Sequence, residues 1–81
     1  MEIKLKKQAQ KYLDGVDENT RKKLYKGLAQ LSRLEGNIVP LKGEKGKYRY
    51  KLDHYRILFT RGKGETIITV TEINTRTNVK Y

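Results

Sequence analysis

The chain has 81 residues, with nineteen Lys and Arg against nine Asp and Glu, a formal net charge of +10 and a pI near 9.9. Its length predicts a single domain, 1–81, with a small core, because a chain of this size buries only roughly 60% of its unfolded surface. The absence of cysteine excludes disulfide stapling and cysteine-based zinc sites and suits a reducing cytoplasm.

No segment reads as a secretory leader, and no apolar run is long enough to cross a bilayer, so the expected location is cytoplasmic, with no membrane partner. The charge by itself favours nucleic acid, an anionic membrane surface or an acidic protein partner. The excess is spread along the chain: residues 1–36 carry nine basic and five acidic side chains, and residues 37–81 carry ten and four.

In chain order, Met1 to Leu5 reads as a short edge strand in which Ile3 and Leu5 alternate with charges. Lys6 to Leu13 has helical composition and meets a stop signal at Asp14-Gly15. Asp17 or Asn19 can cap a second helix reaching about Leu34. Its apolar stripe is Leu24, Leu28, Leu31 and Leu34, with Tyr25 beside it. Gly36-Asn37 ends that helix. The link between the helices is short and polar, which predicts an antiparallel pair. Ile38 to Lys47, punctuated by Pro40, Gly43 and Gly46, is predicted as a loop.

From Lys47 to Arg56 the sequence reads KYRYKLDHYR. Apolar and basic residues alternate there with the period of a strand. Asp53-His54 fits a tight turn, and Tyr55 to Phe59 reads as the returning strand. A loop of those two residues sets Lys51 opposite Arg56 and Arg49 opposite Leu58. On the other face Leu52 meets Tyr55, Tyr50 meets Ile57, and Tyr48 meets Phe59. One face of the hairpin is then apolar and aromatic, while the other gathers cations. Like charges directly opposite one another destabilise a sheet. A polyanion bound across that face would give a reason to accept them; the plainer alternative is a solvated basic face.

A second turn falls at Arg61-Gly62-Lys63-Gly64. It lacks the length and the following helix of a phosphate-binding loop. Glu65 to Ile73 alternates as a further strand. With the turn centred on Lys63-Gly64, Ile68 and Val70 continue the apolar face, and Thr69 and Thr71 join Arg56 and Leu58 on the basic one. Tyr48, Tyr50, Tyr55 and Phe59 are expected in the core rather than as base-stacking platforms. Helices first and strands later give an α+β fold of order β-α-α-β-β-β, in which a helical hairpin covers one face of a small twisted antiparallel sheet.

These pieces together resemble the RelE/ParE family of bacterial type II toxin–antitoxin systems. The resemblance is carried by the helical hairpin, by Asn37-Ile38-Val39-Pro40-Leu41-Lys42-Gly43, by the hairpin YRYKLDHYRILF, and by Glu72-Ile73-Asn74-Thr75-Arg76. It implies a toxin of the RelE type, a ribosome-dependent mRNA endonuclease that cleaves through a ribose 2′-OH and is neutralised by an acidic antitoxin. Ribosome and mRNA would be its partners, and no cofactor or metal is implied. The alternative within the family is a ParE-like inhibitor of DNA gyrase without chemistry of its own.

Carried over by position, Arg49 and Lys51 match the basic strand of the nucleases, Arg56 the Arg of their YR motif, and Arg76 the Arg after the last strand. Tyr81 matches a terminal tyrosine, with Lys80 standing between it and Val79. Lys47, Arg49, Lys51 and Arg56 would contact RNA. Cleavage through a 2′-OH needs a base, an acid and stabilisation of the phosphorane. Arginine stays protonated, so Arg56 and Arg76 suit the phosphorane. Lys51, beside cations that disfavour its protonated form, suits the role of base. His54 is the one histidine, and it falls in the predicted turn.

Overall fold

The computed structural model describes residues 1–62 and 64–75. The order is β1 (Glu2–Leu5), α1 (Lys7–Gly15), α2 (Glu18–Ser32), β2 (Asn37–Pro40), β3 (Lys47–Leu52), β4 (Tyr55–Thr60) and β5 (Ile67–Thr75). The α+β class is as expected. The strands form one five-stranded sheet in the order β1-β5-β4-β3-β2. Two features differ from the sequence-based expectation. Asn37–Pro40, read as loop, is a strand: Ile38 pairs with Tyr50 and Val39 with Arg49. Its Pro40 is tolerated because an edge strand has amides with no ladder to join. The first strand also pairs in parallel with β5, Ile3 beside Ile68 and Leu5 beside Val70, so the sheet is mixed rather than wholly antiparallel. The helices carry the chain from the β1 edge across one face to the β2 edge.

That crossing is held by specific contacts. Asp17 caps α2, its carboxylate accepting from the Thr20 amide at 3.3 Å and from the Thr20 hydroxyl. Arg21 of α2 reaches back to the end of α1. Its Nε donates to the Leu13 carbonyl at 2.9 Å and its Nη2 to those of Val16 at 2.9 Å and Asp14 at 3.3 Å. A cation is thereby placed where the helix dipole is negative and the carbonyls lack partners.

The end of α2 is a Schellman turn: Leu34 N–H donates to Leu31 O at 2.8 Å and Glu35 N–H to Gln30 O at 3.0 Å. Leu34 therefore sits at φ 54, where glycine is usual, and lies 41% exposed. It is not the last member of the buried stripe that its spacing predicted. Gly36, at φ 98, follows; a Cβ there would stand 2.6 Å from the Tyr50 ring.

The core lies between the helices and one sheet face. Ala9, Leu13, Leu24, Leu28 and Leu31 meet Tyr50, Ile57, Phe59, Ile68, Val70 and Ile73. Tyr48 stacks on Phe59 with ring centroids 5.3 Å apart. Tyr50 is 1% exposed and its hydroxyl donates to Gln30 Oε1 at 2.9 Å. Burial, and then the Glu35 charge, push that phenol above its ordinary pKa. Of the hairpin aromatics, Tyr50 and Phe59 are in the core, and Tyr48 and Tyr55 pack partly buried against it, on the face their alternation predicted. No helix among the described residues is long and apolar enough to cross a membrane.

Candidate functional site

The β3–β4 register is the one that a two-residue turn dictates: Lys51 opposite Arg56, Arg49 opposite Leu58, Lys47 opposite Thr60. The turn is Asp53-His54, with Asp53 at φ 51 as primed turns require of their first central residue. His54 is exposed at this tip. The turn is tied to the helices by an ion pair, Lys23 Nζ to Asp53 Oδ2 at 2.7 Å.

The face opposite the helices is therefore ordered in rows across the strands. One row runs Asn37, Lys51, Arg56, Asn74 and the next Val39, Arg49, Leu58, Glu72. A third runs Lys47, Thr60, Thr69, Lys4. Arg49 and Arg56 are half-buried and Lys51 is exposed. Lys47 is less available than its position suggested, since its Nζ lies 3.3 Å from Glu44 Oε1. Of the expected site residues, Arg49, Lys51 and Arg56 are brought together on the face opposite the helices, with Lys47 at its rim. Arg76 and Tyr81 lie outside the described residues.

The structure adds one residue that alternation alone missed. β4 and β5 pair regularly from Thr60–Thr69 to Phe59–Val70. The register then slips, so that Leu58 faces Glu72, Ile57 faces Ile73 and Arg56 faces Asn74. Thr71 is the extra residue of a β-bulge, and its hydroxyl donates to the Leu58 carbonyl at 3.2 Å. Strict alternation would have buried Glu72 with Ile68 and Val70 and exposed Ile73. The bulge reverses both, and Ile73 is 0% exposed. The break in pattern, a Glu where an apolar residue was due and an Ile one place late, was the signal for it.

Beyond the bulge, β5 has outrun β1. Gln8 of α1 takes over the role of strand neighbour: the Ile73 N–H donates to Gln8 Oε1 at 2.9 Å, and Gln8 Nε2 donates to the Ile73 carbonyl at 3.1 Å. Glu72 is half-buried and, with Thr71, Leu58, Thr60, Leu41, Glu44 and Lys47, borders a cleft of about 280 Å³. No group of three or more His, Cys, Asp or Glu among the described residues is arranged to hold a metal. What the face offers is charge: fixed cations for a polyanion, and a carboxylate beside them.

The family model described as the ParE toxin of the type II toxin–antitoxin system parDE matches residues 3–79. No curated protein matches the chain by sequence. Solved structures match its fold along nearly the whole length. The RelBE2 toxin–antitoxin complex of Mycobacterium tuberculosis superposes with a TM-score of 0.79 at 18% identity, covering 95% of this chain and 92% of that one. For the RelE–RelB complex of the archaeon Pyrococcus horikoshii the TM-score is 0.75 at 17% identity, with 96% and 97% covered. For the isolated Escherichia coli RelE toxin it is 0.72 at 22% identity, with 91% and 82% covered.

Proposed function

The chain belongs to the RelE/ParE family of type II toxin–antitoxin toxins, and we propose that within it this protein is a ribosome-dependent mRNA endoribonuclease that arrests translation. The observation that carries this reading is the Lys51–Arg56 pair, with Arg49 in the adjoining row, on the face the helices leave open. Two cations held opposite each other cost folding energy, and a binding surface with no polyanion to hold would gain nothing from them. RNA laid across the strands would bring its phosphates to these cations. Arg56 and Arg76 would stabilise the phosphorane and Lys51 would serve in proton transfer. An acidic antitoxin would neutralise the toxin, in keeping with the net charge of +10 and with the solved RelE–RelB complexes.

The site has no exposed imidazole on the cation face, so it depends on the ribosome to orient its substrate, and purified protein should cut free RNA slowly. The test is a primer-extension map of a reporter mRNA after brief induction in growing cells, with translation measured in parallel. Cuts inside translated codons that vanish when the start codon is removed support the proposal. The ParE designation of the matching family model favours a second reading, a gyrase inhibitor without chemistry. Intact mRNA in arrested cells, together with DNA-damage signalling and continued translation, would establish it and overturn the first.

A further inference from the structure

We infer that Glu72 is the general base of the cation face, taking the proton from the ribose 2′-OH that attacks the scissile phosphate. The inference rests on the nuclease reading above and deepens it. β2 to β5 place one carboxylate on the open face among the described residues, and the bulge at Thr71 puts it there, opposite Leu58 and in the row of Arg49. A half-buried carboxylate on so cationic a face would ordinarily be held in an ion pair. No described residue lies within ion-pairing distance of Glu72 or hydrogen-bonds its side chain. Among the described residues, then, nothing occupies its acceptor oxygens, and the side chain borders the cleft.

Its backbone is fixed from both sides. The Thr71 hydroxyl bonds the Leu58 carbonyl before it, and the Gln8 amide clamps Ile73 after it. A base must be held in place to be useful, and this one sits on a central strand rather than on a loop. Arg56 lies diagonally across, at a separation of about 7–8 Å between such strand positions, within reach of one phosphodiester bound between the two side chains.

The chemistry balances without a cofactor. The Glu72 carboxylate accepts the 2′ proton. The 2′ oxygen bonds to phosphorus, and the bond from phosphorus to O5′ breaks with its electron pair on O5′. The Lys51 ammonium protonates that oxygen. The products are a 2′,3′-cyclic phosphate and a 5′-hydroxyl. The guanidinium groups of Arg49 and Arg56 face the charge that accumulates on the equatorial oxygens.

A purely electrostatic role predicts the opposite response to mutation. Removing one negative charge from a face that binds a polyanion should tighten binding and, were charge all that mattered, speed cleavage. The experiment uses purified wild-type protein, Glu72→Gln, Glu72→Asp and, as a control at the sheet margin, Glu2→Gln, on ribosomes programmed with a short mRNA. Single-turnover cleavage is followed across pH, and ribosome binding is measured separately. Among the described residues, the charges on the same side of the sheet as Glu72 are Lys4 of β1, Lys47, Arg49 and Lys51 of β3 and Arg56 of β4, with Glu44 beside the cleft.

The expected result is a loss of about 100-fold or more in rate for Glu72→Gln, loss of the acid limb of the pH–rate profile, and binding unchanged or tighter. Glu72→Asp should retain the limb at a reduced rate, and Glu2→Gln should behave as wild type. A Glu72→Gln protein that cuts as fast as wild type, or keeps the acid limb, overturns the assignment of Glu72 while leaving the nuclease reading intact. Wild-type protein that leaves ribosome-bound mRNA whole overturns the nuclease reading itself and this assignment with it.

Discussion

The side-chain amide of Gln8 completes the hydrogen bonding of the Ile73 backbone, accepting from its N–H at 2.9 Å and donating to its carbonyl at 3.1 Å. A helix residue thus replaces the strand that β1 is too short to provide. These two partly buried bonds hold β5 just past the bulge, where Glu72 and Asn74 take their places on the open face. Gln8→Ala should cost about 1–3 kcal/mol, the range for leaving such backbone groups without partners. It should also speed exchange of the Ile73 amide and reduce toxicity through Glu72. Urea titration and hydrogen exchange check the first two effects. A Gln8→Glu protein, which keeps the acceptor but not the donor, should fall between.

Lys51 and Arg56 face each other at the cost of sheet stability, so function and stability should move in opposite directions there. Lys51→Thr removes the repulsion and introduces a residue with high strand propensity. It should stabilise the fold by a few tenths of a kcal/mol, about 2 °C in Tm for a domain of this size. Growth arrest on induction should be lost or strongly reduced in the same variant. Arg56→Ala and Arg76→Ala should likewise relieve arrest while the circular dichroism spectrum stays that of the wild type. Full toxicity in both arginine variants would remove them from the proposed site.

The C-terminal turn of α2 contains a correctable strain. Leu34 is held at φ 54 and more than a third exposed. Left-handed backbone costs an ordinary residue about 1–2 kcal/mol, while glycine's greater freedom when unfolded returns part of that. Leu34→Gly should stabilise the protein by about 0.5–1 kcal/mol, whereas Leu34→Ala, which keeps the strain, should not. Two residues on, the direction reverses. Gly36→Ala combines φ 98 with a Cβ 2.9 Å from the Tyr50 hydroxyl oxygen and should destabilise by about 2–4 kcal/mol. Thermal melts of the three variants check both statements.

The Lys23–Asp53 pair sets a pH window. The hydrogen bond from Lys23, and then its charge, hold the Asp53 carboxyl below its ordinary range. The same bond and charge raise the Lys23 ammonium. A lowered carboxyl contributes stability above its unfolded pKa and loses it as pH falls through the folded value. A raised ammonium contributes below its unfolded pKa and loses it as pH rises through the folded value. The pair therefore acts between the unfolded values of about 3.9 and about 10.4. Asp53→Asn keeps a residue that tolerates positive φ, so the difference in Tm from wild type reports the carboxylate charge. That difference should be level near neutral pH and close as the solution is acidified below the carboxylate range. Asp17, lowered by the Thr20 hydroxyl and amide, titrates in the same window but is present in both proteins and cancels.

What the sequence determined by itself was local and periodic. Alternation from Lys47 to Phe59 and a two-residue turn at Asp53-His54 leave one register open. The aromatic face and the cation face, with Lys51 across from Arg56, follow from it without knowledge of the rest. The Leu24, Leu28 and Leu31 spacing of α2 and a cap at Asp17 or Asn19 were legible for the same reason: they depend on neighbours a turn away. Tertiary structure decided what depends on distant partners. Asn37–Pro40 is a strand because β3 offers it an edge, and β1 is parallel to β5 because the helices carry the chain away to the far side of the sheet. The bulge at Thr71 exists because Ile73 gains more from burial against the helices than the ladder loses from one unpaired residue. Glu72 reached the open face as a consequence. Its place among the cations was set by the packing of the other side of the sheet, which no pattern confined to its own strand could express.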